Sequence, residues 1–140
     1  KETNTAIEKL QIFMNNYPKS KYIDECNQLI NELQNKIEKK EFEVAKQYYT
    51  IYDYRAAIKS LNNFIGEFVG SKFREEALYF KFLASYEIAI NSIESKKYER
   101  LTELKQLHNN IVRYYPETLF EEDLSKKMGI VEEEINTFNN

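Results

Sequence analysis

One block of sequence occurs three times in the 140 residues, and a repeat of this kind restricts the chain to few folds. The copies cover residues 6–22, 57–73 and 104–120. In each copy apolar residues recur at helical spacing, and the stripe stops at Tyr-Pro or Phe-Val-Gly. A hydroxyl residue and then an aromatic residue follow. We therefore expect a repeated unit of helix, tight turn and helix.

The hydroxyl residues after the three stripes are Ser20, Ser71 and Thr118. Serine and threonine are favoured N-caps, so each is predicted to cap the second helix of its unit. Thr118 and Glu121 also have the spacing of a capping box. Acidic residues in the first turn of these helices suit the positive end of the helix dipole.

Composition and helix signals together predict an all-α chain. Glycine and proline are rare, at three and two residues, and residues 20–52 contain neither, which indicates one long helix there. We expect a single domain over residues 1–140, with the segment 92–100 as the least regular part. The predicted helices cover residues 4–16, 20–51, 54–68, 71–95, 98–114 and 118–136.

Residues that could carry chemistry are few. His108 is the single histidine and lies on an inward stripe, where the other copies have Leu10 and Leu61, so we interpret it as a packed, hydrogen-bonded side chain. Cys26 aligns with small or apolar residues and is predicted to be buried. The acidic groups, such as residues 121–123, lack the glycine turn of a calcium loop and are interpreted as solvated helix faces. We therefore predict no catalytic, cofactor-binding or metal-binding residues, and no enzyme.

A protein-binding surface is the remaining function that the residues suggest. In the aromatic run 48–54, Tyr48, Tyr52 and Tyr54 fit the packing stripe, which leaves Tyr49 nearer an exposed face. The outward positions of the next helix are hydrophilic, as on a docking surface. The predicted partner-binding residues are Tyr49, Arg55, Lys59, Asn62, Asn63 and Glu67. A merely solvated face explains the same pattern equally well.

Two classes of partner are disfavoured by the composition. The net charge is −3 with both signs interspersed, so nucleic acid is not expected to bind. No apolar run approaches the roughly 20 residues that span a membrane.

The spacing Ala45, Tyr48, Tyr52-Asp53-Tyr54, Ala57, Leu61, Phe64 and Val69 resembles the tetratricopeptide repeat. Tyr52 and Val69 stand where glycine and proline are usual. The resemblance implies a right-handed helical solenoid of the tetratricopeptide type, here with some unusually long helices.

Nearly the whole chain, above all the run 39–58 (KKEFEVAKQYYTIYDYRAAI), resembles the C-terminal half of the BamD family of outer-membrane lipoproteins. The resemblance implies a scaffold that binds the periplasmic (POTRA) domains of BamA, other Bam lipoproteins and unfolded outer-membrane protein precursors. It also implies a place at the periplasmic face of the outer membrane, with the signal peptide, lipid-bearing cysteine and earlier repeats in a preceding portion. Cys26 lies inside a helix and is not that cysteine.

A second periplasmic repeat family, the Tol–Pal-associated cell-division coordinators, shares the Tyr-Pro-x-Ser phrase. Its repeat is expected near 37 residues, whereas the copies here begin 51 and 47 residues apart. It is the alternative to the BamD family.

Overall fold

The computed structural model describes residues 2–139, and all regular secondary structure within them is helical. The helices are α1 (Glu2–Asn16), α2 (Ile23–Thr50), α3 (Tyr54–Glu67), α4 (Arg74–Ile90), α5 (Glu94–Tyr114) and α6 (Glu121–Phe138). Helix α3 packs on α4, α4 on α5, and α5 on α6. This packing of adjacent helices is typical of a tetratricopeptide-like repeat and confirms the predicted fold class.

The chain forms two compact units, and the division falls inside α2, between Glu41 and Phe42. At 28 residues α2 is about 42 Å long at 1.5 Å per residue. In the first unit Cys26 and Ile30 are buried on α2, which confirms the prediction for the cysteine. None of the described residues of α1 is buried, although the rings of Phe13 and Tyr17 lie 5.2 Å apart.

The second unit contains two hydrophobic clusters. The first joins α2, α3 and α4, and its buried members are Phe42, Ala45, Ala57, Leu61, Phe64, Ala77 and Ala84. The second joins α4, α5 and α6, with Phe82, Leu101, Leu104, Ile111, Leu124 and Val131 among its buried members. Tyr49, Ile65 and Phe80 pack against both clusters, so the two form one continuous interior.

The hydroxyl residues of the repeat do not cap helices, contrary to the prediction. Helices α2, α4 and α6 each begin three residues after Ser20, Ser71 and Thr118. Each hydroxyl oxygen instead accepts a hydrogen bond from the backbone amide two residues later, at 3.1, 3.1 and 3.3 Å. The bond stabilises the turn ahead of the helix, a common local use of these side chains. Thr118 and Glu121 therefore form no capping box.

The connection between α4 and α5 lies earlier in the chain than predicted, since the predicted helices end at residue 95 and begin again at residue 98. Helix α4 ends at Ile90 and α5 already begins at Glu94, inside the segment expected to be irregular. Ile93 is 68% exposed and stands in extended conformation as the N-cap residue of α5. The segment has no glycine or proline to mark the turn. The break is instead accompanied by a bond from the Ser92 hydroxyl to the Ile88 carbonyl.

Helix α6 continues past its predicted end at residue 136. Its last residue, Phe138, lies with its ring 5.6 Å from the ring of Tyr98 on α5. Because this aromatic contact involves the last turn, the helix extends beyond the point at which a polar tail would fray.

Tyr52 adopts a backbone conformation that is usual for glycine. Its φ angle is +67°, in the left-handed region. The Asp53 amide donates to the Tyr48 carbonyl, and the Tyr52 amide donates to the Tyr49 carbonyl, the two bonds of a Schellman motif. The tetratricopeptide pattern usually has glycine here, and the structure gives the physical reason.

We predict that Tyr52→Gly unfolds at higher urea concentration than Tyr52→Ala. Both changes remove the exposed ring, but only glycine removes the Cβ that disfavours the left-handed conformation. The expected difference in free energy of unfolding is about 1 kcal/mol. Equal stability of the two variants, measured by circular dichroism at 222 nm, would contradict this account of the C-terminus of α2.

Candidate protein-binding surface

One face of α3 carries most of the predicted partner-binding residues. The structure exposes the side chains of Arg55, Lys59, Asn62, Asn63 and Glu67. The opposite face of the same helix is buried as predicted, through Ala57, Leu61 and Phe64. We call the five exposed residues the α3 face. Whether they bind a partner stays a prediction.

One local contact and one tertiary contact hold α3 in place. The Asp53 carboxylate caps its N-terminus by accepting a hydrogen bond from the Ala56 amide at 3.2 Å. Near its C-terminus, the Arg74 guanidinium of α4 donates to the Ile65 carbonyl at 3.1 Å. The α3 face is therefore carried by a helix secured near both ends, which suits a docking surface.

The assignments of two tyrosines in the run 48–54 are wrong. Tyr52, predicted to pack inward, is 78% exposed, whereas Tyr49, expected nearer the surface, is partly buried. The Tyr49 ring lies 5.3 Å from Phe80 and 5.6 Å from Tyr54. The helical period fails because α2 ends at Thr50 and Tyr52 turns left-handed. Partner binding by Tyr49 stays a prediction, with much of its ring already packed.

Sequence reasoning missed a groove between α3, α4 and α5. The groove has a volume of about 420 Å³, and Arg55, Lys81, Glu103 and Arg100 are among its lining residues. Of these residues, only Arg55 was predicted from the sequence to bind a partner. The others belong to helices distant in sequence, and no local pattern brings them together.

The first-turn acids of α4 and α6 make tertiary contacts and are not merely solvated. The Glu75 carboxylate accepts a hydrogen bond from the Thr118 hydroxyl at 2.6 Å and another from the Leu119 amide at 2.9 Å. Asp123 accepts hydrogen bonds from Tyr79 and from Lys127. Burial alone would raise the pKa of Asp123, but these hydrogen bonds outweigh it and hold the pKa below its ordinary value. These carboxylates join α4 to α6.

An apolar patch lies at the turn of the first unit. Phe13, Tyr17, Pro18 and Tyr22 line a shallow pocket there, and both tyrosines are largely exposed. The patch is an exposed apolar surface of the first unit.

His108 is packed, as predicted, but its Nε2 atom is buried and has no hydrogen-bond partner among the described residues. Its ring lies 6.2 Å from the ring of Phe82. Burial lowers the pKa of His108 from its ordinary value, against an opposing effect of Glu121. The hydrogen bond predicted for this side chain is therefore not formed at Nε2.

Two features of residues 2–139 bear on the class of protein. The side chains of His, Cys, Asp and Glu in this part of the chain form no group of three or more that could hold a metal ion. In the same residues, no helix has the length and apolar character needed to cross a membrane.

Helical hairpins of this kind define a repeat protein of the tetratricopeptide-like class. Residues 1–59 and 42–137 match the family YfiO, outer membrane lipoprotein, and these matches together cover nearly the whole chain. The chain therefore belongs to the YfiO family, which is the BamD family of outer-membrane lipoproteins. No curated protein matches the sequence.

We predict that His108→Leu reduces the loss of stability on acidification from pH 7.5 to pH 5.5. Because the pKa of His108 is lowered in the folded state, the unfolded chain binds the proton more readily. The folded chain therefore loses stability as the pH falls through about 6.5, the ordinary histidine pKa. Leucine, present at the equivalent positions 10 and 61, cannot take up the proton.

The measurement is urea denaturation of both chains at the two pH values. His108→Gln is the matched control, since it keeps a polar side chain without the titration. It should reduce the pH dependence as much as leucine does, but without the higher stability expected of leucine at pH 7.5. An unchanged pH dependence in both variants would exclude His108 as its source.

Proposed function

We propose that this chain is a scaffold subunit of the outer-membrane β-barrel assembly complex. In this role it binds the periplasmic domains of BamA and assists the insertion of outer-membrane proteins. Membership of the BamD family is the observation that carries the proposal. The α3 face supports it, because an exposed hydrophilic surface on a well-anchored helix suits recognition of another folded protein.

The proposed mechanism is recognition and positioning without bond chemistry. The ionisable groups that the structure brings together at the α4–α6 junction, Glu75 and Asp123, are engaged in holding helices. Such engaged groups serve the architecture rather than acid–base catalysis. We accordingly propose that the chain is not an enzyme and needs no cofactor.

The wider setting of the proposal follows the family. The other partners are Bam lipoproteins and unfolded outer-membrane protein precursors, at the periplasmic face of the outer membrane. Attachment to the membrane is through the lipid anchor that the family description implies. Nucleic acid is not a partner, in keeping with the net charge of −3 and the interspersed charges.

We predict that Arg55→Glu combined with Lys59→Glu weakens capture of purified BamA periplasmic domains by at least tenfold. Reversing two charges at the centre of a protein interface commonly costs several kcal/mol, and tenfold corresponds to about 1.4 kcal/mol. Both side chains are exposed, so the helical circular dichroism spectrum should not change. Biolayer interferometry gives the affinity.

Lys36→Glu combined with Lys96→Glu is the matched control, since it makes the same change in net charge at exposed positions on α2 and α5. This control should bind as the original chain does. Equal weakening in both double variants would assign the effect to net charge and remove the α3 face from the proposal. Failure of the original chain to bind BamA domains, with recovery of Tol–Pal components from membranes instead, would overturn the proposed function.

A further inference from the structure

The groove between α3, α4 and α5 has an excess of positive charge. Arg55 comes from α3, Lys81 from α4 and Arg100 from α5, and all three line the groove. Glu103 is the acidic residue of the lining. The groove therefore has three basic groups for one carboxylate, in a chain whose net charge is −3. This local reversal of sign favours an anionic occupant.

Lys81 differs from the other partly buried lysines of the second unit. Lys46, Lys97 and Lys127 each have a carboxylate oxygen within 3.2 Å. Lys81 is also partly buried, but within residues 2–139 it has neither an ion pair nor a hydrogen bond. Burial lowers the pKa of its ammonium group from the ordinary value. A partly desolvated ammonium without a partner is unfavourable, so a carboxylate supplied from outside would stabilise it.

Arg100 is oriented by its own contacts. Its guanidinium donates to the Ser92 hydroxyl at 2.8 Å, and that hydroxyl donates to the Ile88 carbonyl at 2.6 Å. The chain of bonds restricts the arginine while leaving further N–H donors for an anion. A guanidinium restricted before binding loses less conformational entropy when it binds.

The remaining lining is in part aliphatic. Ile58, Ile88 and Leu107 contribute to the groove beside the charged groups. A free inorganic anion has no surface to match these side chains, whereas a peptide can place an aliphatic side chain next to a carboxylate. The mixture of basic and aliphatic groups thus favours a peptide segment as the occupant.

We propose that this groove is a binding site for a protein segment that presents a glutamate or aspartate beside an aliphatic residue. The carboxylate pairs with Lys81 and Arg100, and the aliphatic side chain packs among Ile58, Ile88 and Leu107. The proposal goes beyond the proposed function, because it does not require that BamA supplies the segment. Arg55 lies both on the α3 face and in the groove, so a bound segment would extend from one surface to the other.

The test is a titration of the ¹⁵N-labelled chain with N-acetyl-leucyl-glutamate amide, followed by NMR chemical shifts. We expect saturable shifts confined to amides of the groove. The isosteric N-acetyl-leucyl-glutamine amide should give at least tenfold weaker binding, because it lacks the charge. Equal binding of the two dipeptides, or no saturable shift with either, would overturn the proposal.

Two variants of the groove give opposite expected changes. Lys81→Met should lose at least tenfold in affinity for the glutamate dipeptide while unfolding at the same or higher urea concentration, since methionine fills the space without an unpaired charge. Glu103→Gln should bind roughly two- to fivefold more tightly, because it removes the carboxylate that competes for the basic groups. If both variants fold normally and bind the glutamate dipeptide with unchanged affinity, the groove is not the binding site.

A further titration distinguishes a peptide carboxylate from inorganic phosphate as the ligand of the groove. Sodium phosphate at matched ionic strength should produce at most weak shifts in the groove. Phosphate binding as tight as dipeptide binding would overturn the assignment to a peptide carboxylate. Capture of BamA domains is a separate readout: normal capture without dipeptide binding would reject this inference alone, and dipeptide binding without capture would reject only the proposed function.

Discussion

Contact between aromatic rings is the constraint on which the second unit depends. The Phe80 ring of α4 lies 6.3 Å from Phe42, 5.3 Å from Tyr49 and 5.6 Å from Tyr79. Tyr79 in turn stacks on Phe120 at 4.1 Å. These rings connect the two hydrophobic clusters, and large rigid side chains fill the irregular spaces between crossing helices. The many tyrosines and phenylalanines of the chain therefore serve first as structural material.

In the second and third copies, the repeated turn places an aromatic ring where another helix can contact it. In the second copy Phe73 stacks on Phe42 of α2, and in the third copy Phe120 stacks on Tyr79 of α4. The serine or threonine hydroxyl two residues earlier stabilises the turn through the amide of that aromatic residue. Local hydrogen bonding and distant stacking thus act on the same residue. This combination of a local hydrogen bond and a distant ring contact explains why the turn sequence is repeated although it contains no reactive group.

The exposed surfaces that this aromatic interior supports suit a protein that recognises other proteins. The α3 face is hydrophilic and exposed, whereas the neighbouring groove combines basic and aliphatic groups around an unpaired lysine. The two surfaces differ in chemistry but share Arg55. The Glu75 carboxylate accepts hydrogen bonds from Thr118 and Leu119 and so stabilises the helix packing. Lys81, by contrast, has no ion pair or hydrogen bond within residues 2–139.

The sequence by itself determined the helices, the repeated turns and the buried stripe of α3, because helical hydrogen bonding and side-chain periodicity are local. Apolar spacing was enough to place Ala57, Leu61 and Phe64 inside. Only the tertiary structure decided that Tyr49 packs while Tyr52 is exposed, since Phe80 of α4 lies against Tyr49 and the left-handed Tyr52 departs from the helical period. The tertiary structure alone also brought Lys81 and Arg100 together with Arg55. A groove between three helices depends on how the helices pack, and the spacing of residues along one helix does not encode this packing.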